Sequence, residues 1–228
     1  MENQNNTPFN PSFWHTFKRI IREIFVIVFS ILVSVWITNW NEHRREQQQV
    51  KAFLLGLKTD IHEDIHETKQ ILTRYKEYDT VYAYLYSLDK NKVPNKDSLA
   101  MFLPQIRSNI TLRPNSNRFT SFQTSGKLTN IDNDSLLLEI VDLYQEYIPR
   151  LKSSEGGWVS INGSLQNYIM DTAKEDNDMA YWQVLTTPKG KYLCKSLIPW
   201  KQLYQRYEDF IEQGEKIIKR IDELYPSK

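Results

Sequence analysis

The sequence predicts an all-α protein: an N-terminal transmembrane helix continuing into a long helix, followed by a helical bundle of about four long helices with short connectors. Three observations predict this. Seven glycines against thirteen tyrosines in 228 residues, with many Leu, Ile, Lys and Glu, favour helices over a turn-rich β architecture. The run Ile24–Ile37 holds no charge and only two hydroxyls, Ser30 and Ser34, although the mean hydropathy of the whole chain is that of a soluble protein. The apolar residues after that run recur at helical spacing over long stretches.

The first 12 residues are polar, with four asparagines and two prolines, and read as a disordered tail. Residues 13–40 form an interfacial segment and the anchor. A span needs about 20 residues, which Ile20, Ile21 and Thr38 to Trp40 supply on either side of the apolar run. Arg22 can snorkel to the headgroups and Glu23 can pair with a neighbour. Phe13, Trp14 and Phe17 before the run, with Trp36 and Trp40 near its end, suit the two interfaces. A buried core helix is rarely apolar on all faces for four turns, and Trp36-Ile37-Thr38-Asn39-Trp40 offers no small-x-small cleavage site, so the expectation is an uncleaved anchor. Lys18, Arg19 and Arg22 flank the run on one side; Arg44, Arg45, Lys51 and Lys58 flank it on the other. The first set sits tighter against it, so the N-terminus is expected inside and the domain outside. Ser30 and Ser34, at i and i+4, would let two such helices approach closely.

Residues 41–95 are expected as a membrane-proximal long helix. Asn41 to Gln49 is fully polar; then Phe53, Leu54, Leu57, Ile61, Ile65, Leu72, Tyr75, Tyr82 and Tyr86 form an amphipathic stripe, with Gly56 its one weak point. Residues 96–226 complete the bundle. Asp89 to Asn95 reads as a loop, and Ser98 to Ile106 as a short helix capped by Asp97 or Ser98, with Pro104 near its end. Thr111 to Asn117 is a loop around Pro114; Phe119 to Ser125 is a short helix ending at Gly126. Asn133 or Asp134 caps a helix from Ser135 to Leu151, which Pro149 is expected to kink or end. Gly156-Gly157 is expected to break the next run, with helix resuming from Trp158 to Ala173. Asp176 to Ile198 shows the weakest periodicity and reads as loop with one short element. Pro199, at a first helical position, opens a strong helix to Leu224, striped by Leu203, Tyr207, Phe210, Ile211, Ile217, Ile218, Ile221 and Leu224.

Glu23 to Glu42 reads EIFVIVFSILVSVWITNWNE, followed by basic and Gln/Glu-rich residues and then FLLGLKTDI. Further on stand Ser125-Gly126-Lys127-Leu128, Ile131 and the helix from Asp134. These stretches resemble a family of bacterial single-pass membrane proteins of unknown function, found chiefly in Bacteroidota. Its members carry Gly-Glu-Ile at the start of the span, an Asn-Asn-Trp-Asn-Glu-like exit, a Leu-x-x-Leu-x-x-Asp-Leu-like helix and a Ser-Gly-x-Leu-x-x-Ile segment. Here Arg22 stands in place of the first glycine, and the exit reads Thr38-Asn39-Trp40-Asn41-Glu42. The resemblance covers the first third of the chain and patches of its middle. It implies a helical, extracytoplasmic domain on the bacterial inner membrane and transfers no activity or site residue.

Few motifs carry chemistry. His62-Glu63-Asp64-Ile65-His66 fits H-E-x-x-H, in which two histidines one turn apart hold Zn²⁺ and the glutamate acts as base. No third ligand follows, since Lys69 stands where an extended motif has glycine, and Lys58, Asp60, Asp64, Glu67 and Lys69 read as a solvated helix face. Cys194 lies near Lys191 and beside Lys195, which could lower its pKa, yet the four histidines are far from it in sequence; the expectation is a small apolar residue. One cysteine excludes an internal disulfide framework. The Tyr and Trp stripes are expected in the core. Asn109-Ile110-Thr111 and Asn162-Gly163-Ser164 match the N-glycosylation pattern, which matters only in a host that modifies such sites. A net charge of +1 argues against a nucleic-acid partner. No catalytic, cofactor-binding or metal site is therefore expected. The expected partners are the lipid bilayer and another protein or a second copy of the chain, in a scaffold role; a ligand-binding bundle signalling through a separate partner is the alternative, and a tethered zinc protease a third.

Overall fold

The computed structural model describes residues 11–226. The tail expected at residues 1–12 lies outside them, save Pro11 and Ser12, which begin the first helix; the side chains of Phe13, Trp14, Lys18 and Ile20 also lie outside the described residues. All regular structure among the described residues is helical. The chain divides into two compact units, Met1–Gln49 and Val50–Lys228, and helix α1 (Pro11–Ser87) contributes to both.

In the first unit, α1 contains an 18-residue stretch near the N-terminus that is long and apolar enough to cross a membrane, and none of it is buried. The hydroxyls of Ser30, Ser34 and Thr38 donate to the carbonyls of Val26, Ser30 and Ser34 at 2.7, 2.8 and 2.9 Å. Each polar side chain of the run is thus satisfied within its own helix, as a hydrocarbon environment requires. Arg19 pairs with Glu23 at 3.0 Å, so the acid expected to find a neighbour has one.

The second unit is a bundle organised on the rest of α1. Val50, Leu54, Leu57, Ile61, Asp64, Thr68, Ile71, Tyr75, Tyr78, Tyr82 and Leu85 are all buried, and they follow one another by alternating steps of four and three residues. That is the seam pattern of a helix packed lengthwise against neighbours. Opposite it lies α8 (Lys201–Leu224), running antiparallel: Lys58 pairs with Asp222, Lys69 with Glu215 at 2.9 Å, and the Tyr204 hydroxyl donates to the Tyr75 carbonyl at 3.1 Å. Gly214 lets the two helices close up, since a Cβ there would stand 3.0 Å from both Ile61 and Ile65.

A third long path comprises α4 (Asp134–Asp142) and α5 (Ile148–Thr172). Asn133 is its cap, accepting from Leu136 N at 2.9 Å. The expected end at Pro149 does not occur. Leu143–Tyr147 widen into one π-turn, with Ile148 N–H bonded to the Leu143 carbonyl. The proline, which has no N–H and would crowd the carbonyl four residues back, therefore follows a loosened turn. Gly156-Gly157 does not break the helix either. Both lie exposed on α5 while Leu151, Ser154, Glu155, Trp158, Asn162 and Leu165 are buried around them, and this burial outweighs a cost of about 1 kcal/mol per glycine. Trp158 packs among Tyr75, Tyr78 and Tyr82, its ring centroid 5.4, 5.0 and 5.8 Å from theirs.

Shorter helices close the sides. The helix expected from Ser98 instead begins at Lys96, because Asn95 is the cap (Ser98 N to its side chain, 3.1 Å). α2 (Lys96–Phe102) passes into a 3₁₀ segment, Leu103–Arg107, with Pro104 near its start. α3 (Asn117–Thr124) ends before Gly126, whose φ of 72° is the left-handed value glycine tolerates. The stretch 176–198 holds two helices where one short element was expected: α6 (Asp178–Leu185) and α7 (Pro188–Leu197). Each has a side-chain cap, Asn177 to Ala180 N at 2.9 Å and Thr187 to Gly190 N at 3.1 Å. Pro199 precedes rather than opens α8, whose capping position is Trp200.

Candidate functional site

The H-E-x-x-H residues stand on an open helix face. His62, Glu63 and His66 are exposed on α1, and the His66 ring nitrogen Nε2 contacts Gln70 Nε2 at 3.0 Å. Among the described residues no three His, Cys, Asp or Glu side chains converge as metal ligands would. Cys194 is fully buried on α7. Burial pushes its thiol up to about 12, and Lys191 offsets this only slightly; the Lys191 ammonium is engaged by the Tyr86 and Leu88 carbonyls at the end of α1. Desolvation decides the balance, and the thiol is not a nucleophile at neutral pH. Asn162 is buried, its amide donating to the Tyr82 hydroxyl at 2.6 Å, so it is no glycosylation acceptor. Asn109 is exposed in a loop.

The polar residues that do converge are ones sequence reading assigned elsewhere or passed over. Asp64 belongs to the buried seam, only 1% exposed, not to the solvated face expected of it. Its carboxylate accepts from Asn115 N at 3.1 and 3.0 Å and from Asn115 Nδ2 at 2.9 Å. Burial raises its pKa to about 6, with the Asn115 hydrogen bonds opposing. On α5, Glu155 is fully buried. It accepts from Leu112 N at 2.8 Å, from the Tyr207 hydroxyl at 2.5 Å and from Lys152 Nζ at 2.8 Å, while Lys152 also donates to the Leu112 carbonyl at 2.7 Å. Tyr78 donates to the Ser108 carbonyl at 2.9 Å.

These groups share a task. The segment between the 3₁₀ turn and α3 runs over the core without helix or strand, so its backbone groups need side-chain partners. Tyr78, Glu155 with Lys152, and Asp64 hold it at Ser108, Leu112 and Asn115 in turn. The arrangement fixes a loop; it leaves no carboxylate facing a cleft where a substrate could meet it. The signal for Asp64 and Thr68 was present in the sequence as register, since both continue the four-three spacing of the apolar seam.

One pocket is somewhat less open than the others described. About 230 Å³ lies in a pocket, open on one side, between the 3₁₀ segment, α5 and α6, lined by buried Leu103, Ile106 and Ile169, by Met170, and by Arg107, Gln166 and Tyr181. The Gln166 amide donates to the Ile106 carbonyl at 3.0 Å. Arg107 Nη2 reaches the Tyr181 hydroxyl at 3.4 Å and Asp176 at 4.0 Å, both at the limit of such contacts.

No curated protein and no solved structure matches the chain. A family model does match, over residues 23–160, which takes in the apolar span, the α1 seam, the pinned loop, α4 and the first half of α5. With more than half of its length so matched, the chain belongs to a family of unknown function (DUF6090).

Proposed function

We propose that this is a single-pass protein of the bacterial inner membrane, anchored by one uncleaved helix, whose helical domain lies on the periplasmic side and binds another protein there. The anchor rests on one observation. The large apolar side chains from Ile24 to Ile37 are between 36% and 68% exposed, far more contiguous apolar surface than a soluble monomer leaves to water. Lipid is the environment that this surface fits. The periplasmic placement rests on the basic residues held tight on the N-terminal side of the span.

The binding role is supported by α5. A Cβ built on Gly156, Gly157 or Gly163 would meet nothing within 4 Å, and none of the three has a positive φ. Each weakens the helix by about 0.5–1 kcal/mol relative to alanine, and no neighbouring atom takes the space a Cβ would fill. With exposed Ser153, Ser160 and Ser164 they leave a smooth side on which a partner's backbone can come close. The domain is proposed as a scaffold, without a catalytic role.

Two experiments test the proposal. Single cysteines replacing Lys90 or Asp132 in a Cys194→Ala background should react with a membrane-impermeant maleimide in intact spheroplasts; protection until lysis would reverse the orientation. A photo-cross-linker at Gly157 should give one defined adduct in the native host that the same group at Lys219 does not. Equal adducts from both positions, or none, would remove the α5 surface from the proposal.

A further inference from the structure

We infer that the cavity between the 3₁₀ segment, α5 and α6 is a binding site for a small apolar monocarboxylate, whose acyl or aryl part fills the pocket and whose carboxylate is taken by Arg107. This goes beyond the scaffold reading and does not depend on it.

The cavity has the two parts such a ligand needs. Leu103, Ile106 and Ile169 are buried apolar residues in its lining, and they come from the 3₁₀ segment and α5, two elements held together by Gln166 on the Ile106 carbonyl. The site is thus preformed in the main, as small-molecule sites are. Its 230 Å³ is the space of about eight water molecules at roughly 30 Å³ each. That suits a ligand of similar heavy-atom count, such as hexanoate or benzoate.

The charge comes from Arg107. Its side chain is 73% exposed and stands 4.0 Å from the carboxylate of Asp176, and its one hydrogen bond to Tyr181 is long at 3.4 Å. A guanidinium presents five donors in a planar fork that matches a carboxylate at two points. Here those donors border an apolar cavity and are met by loose contacts, so a carboxylate arriving with its apolar end in the pocket replaces a weak partner by a better one. The Tyr181 hydroxyl, which donates to Asp176, and the Gln166 side chain are the other polar groups of the lining. A second cation would favour a dianion; the lining holds one, which selects a single carboxylate. Gln166, Ile169, Met170 and Tyr181 lie beyond the residues matched by the family model, so the inference concerns this chain and not the family.

The test is titration of the full chain in lipid nanodiscs with benzoate and hexanoate, and in parallel with benzamide and hexanamide, read from the ¹³C-labelled ε-methyl of Met170 and the δ-methyls of Ile106 and Ile169. The acids should shift these signals saturably, with Kd at or below the order of 10 mM for ligands of this size. The Met179 methyl should stay in place. The amides should bind about tenfold more weakly or worse, the loss of one charge-assisted contact. Arg107→Gln should bring acid affinity down to that of the amide and leave the amide unchanged. Met170→Trp, a change at a 69% exposed position, should fill the mouth and weaken both. Equal binding of acid and amide to the wild type would overturn the assignment of Arg107, and no saturable shift with any of the four would overturn the site.

Discussion

Replacing Glu155 by alanine would test whether the buried acid holds the loop over the core. In the native chain its carboxylate accepts hydrogen bonds from three donors, Leu112 N at 2.8 Å, Tyr207 at 2.5 Å and Lys152 at 2.8 Å. Truncation leaves the buried Leu112 amide without an acceptor and leaves the Tyr207 hydroxyl only the Tyr75 hydroxyl beside it. Each orphaned donor costs about 1–3 kcal/mol, and Lys152 can turn to solvent because its side chain is 41% exposed. The expected loss is therefore about 3–5 kcal/mol, a large fraction of the stability of a domain this size. Glu155→Gln retains the shape and one acceptor oxygen but turns an amide donor towards a donor, and should cost about 1–3 kcal/mol. Urea unfolding in mild detergent would measure both. Hydrogen exchange at Leu112 supplies the local reading, since its amide should lose protection ahead of the core amides of α5. A Glu155→Ala protein within about 0.5 kcal/mol of the parent, with the Leu112 amide still protected, would refute the reasoning.

Asp64 makes stability depend on pH. Its pKa is about 6 in the folded chain and about 4 when unfolded. The folded state therefore binds the extra proton between these values, and stability falls as pH rises through that window. The contribution is at most about 3 kcal/mol, seen as the difference in slope between the parent and Asp64→Asn from pH 4 to 7; identical slopes would refute it. Gly190→Ala should destabilise by about 1–3 kcal/mol, because its Cβ would lie 2.4 Å from the Val184 carbonyl oxygen. Gly56→Ala should cost less, about 1 kcal/mol or below, since the atoms nearest its Cβ belong to the flexible Arg118 side chain, which can swing away at the cost of its partly exposed pair with Asp60; thermal melts of the two variants compare them directly. Gly157→Ala should raise the stability of the isolated chain by about 0.5–1 kcal/mol. Cys194 should resist a thiol reagent until denaturant is added, with full reaction in the native state as the contrary result.

How much of this was legible depended on the kind of signal. The apolar run and the stripes of α1 and α8 are periodic, and periodicity survives without knowledge of neighbours. Caps were readable where a side chain acts on its own helix, as at Asn133, and Asn177 and Thr187 gave the same signal for α6 and α7 in a stretch read mainly as loop. Pro149 and Gly156-Gly157 misled because local rules for helix breaking yield to packing: a π-turn absorbs the proline, and Trp158 and its neighbours keep the glycines helical. Asp64 and Glu155 were hidden for another reason. A charged residue reads as solvated until the chain that covers it is known, and that cover comes from Asn115 and Leu112, far away in sequence. The cavity beside Arg107 was equally invisible, since three separate elements line it.

The pairing of α1 with α8 sets an order of manufacture. Ile61 and Ile65 leave the ribosome long before Gly214, against which they close. Throughout that interval the part of the seam that faces α8 has no cover, and exposed apolar surface of this kind is what chaperones bind and proteases find. The bundle can therefore close only after α8 has been made. A product that stops short of α8 leaves that part of the seam bare. Asp64 and Thr68, set in the middle of the seam, interrupt it with polar atoms while it waits.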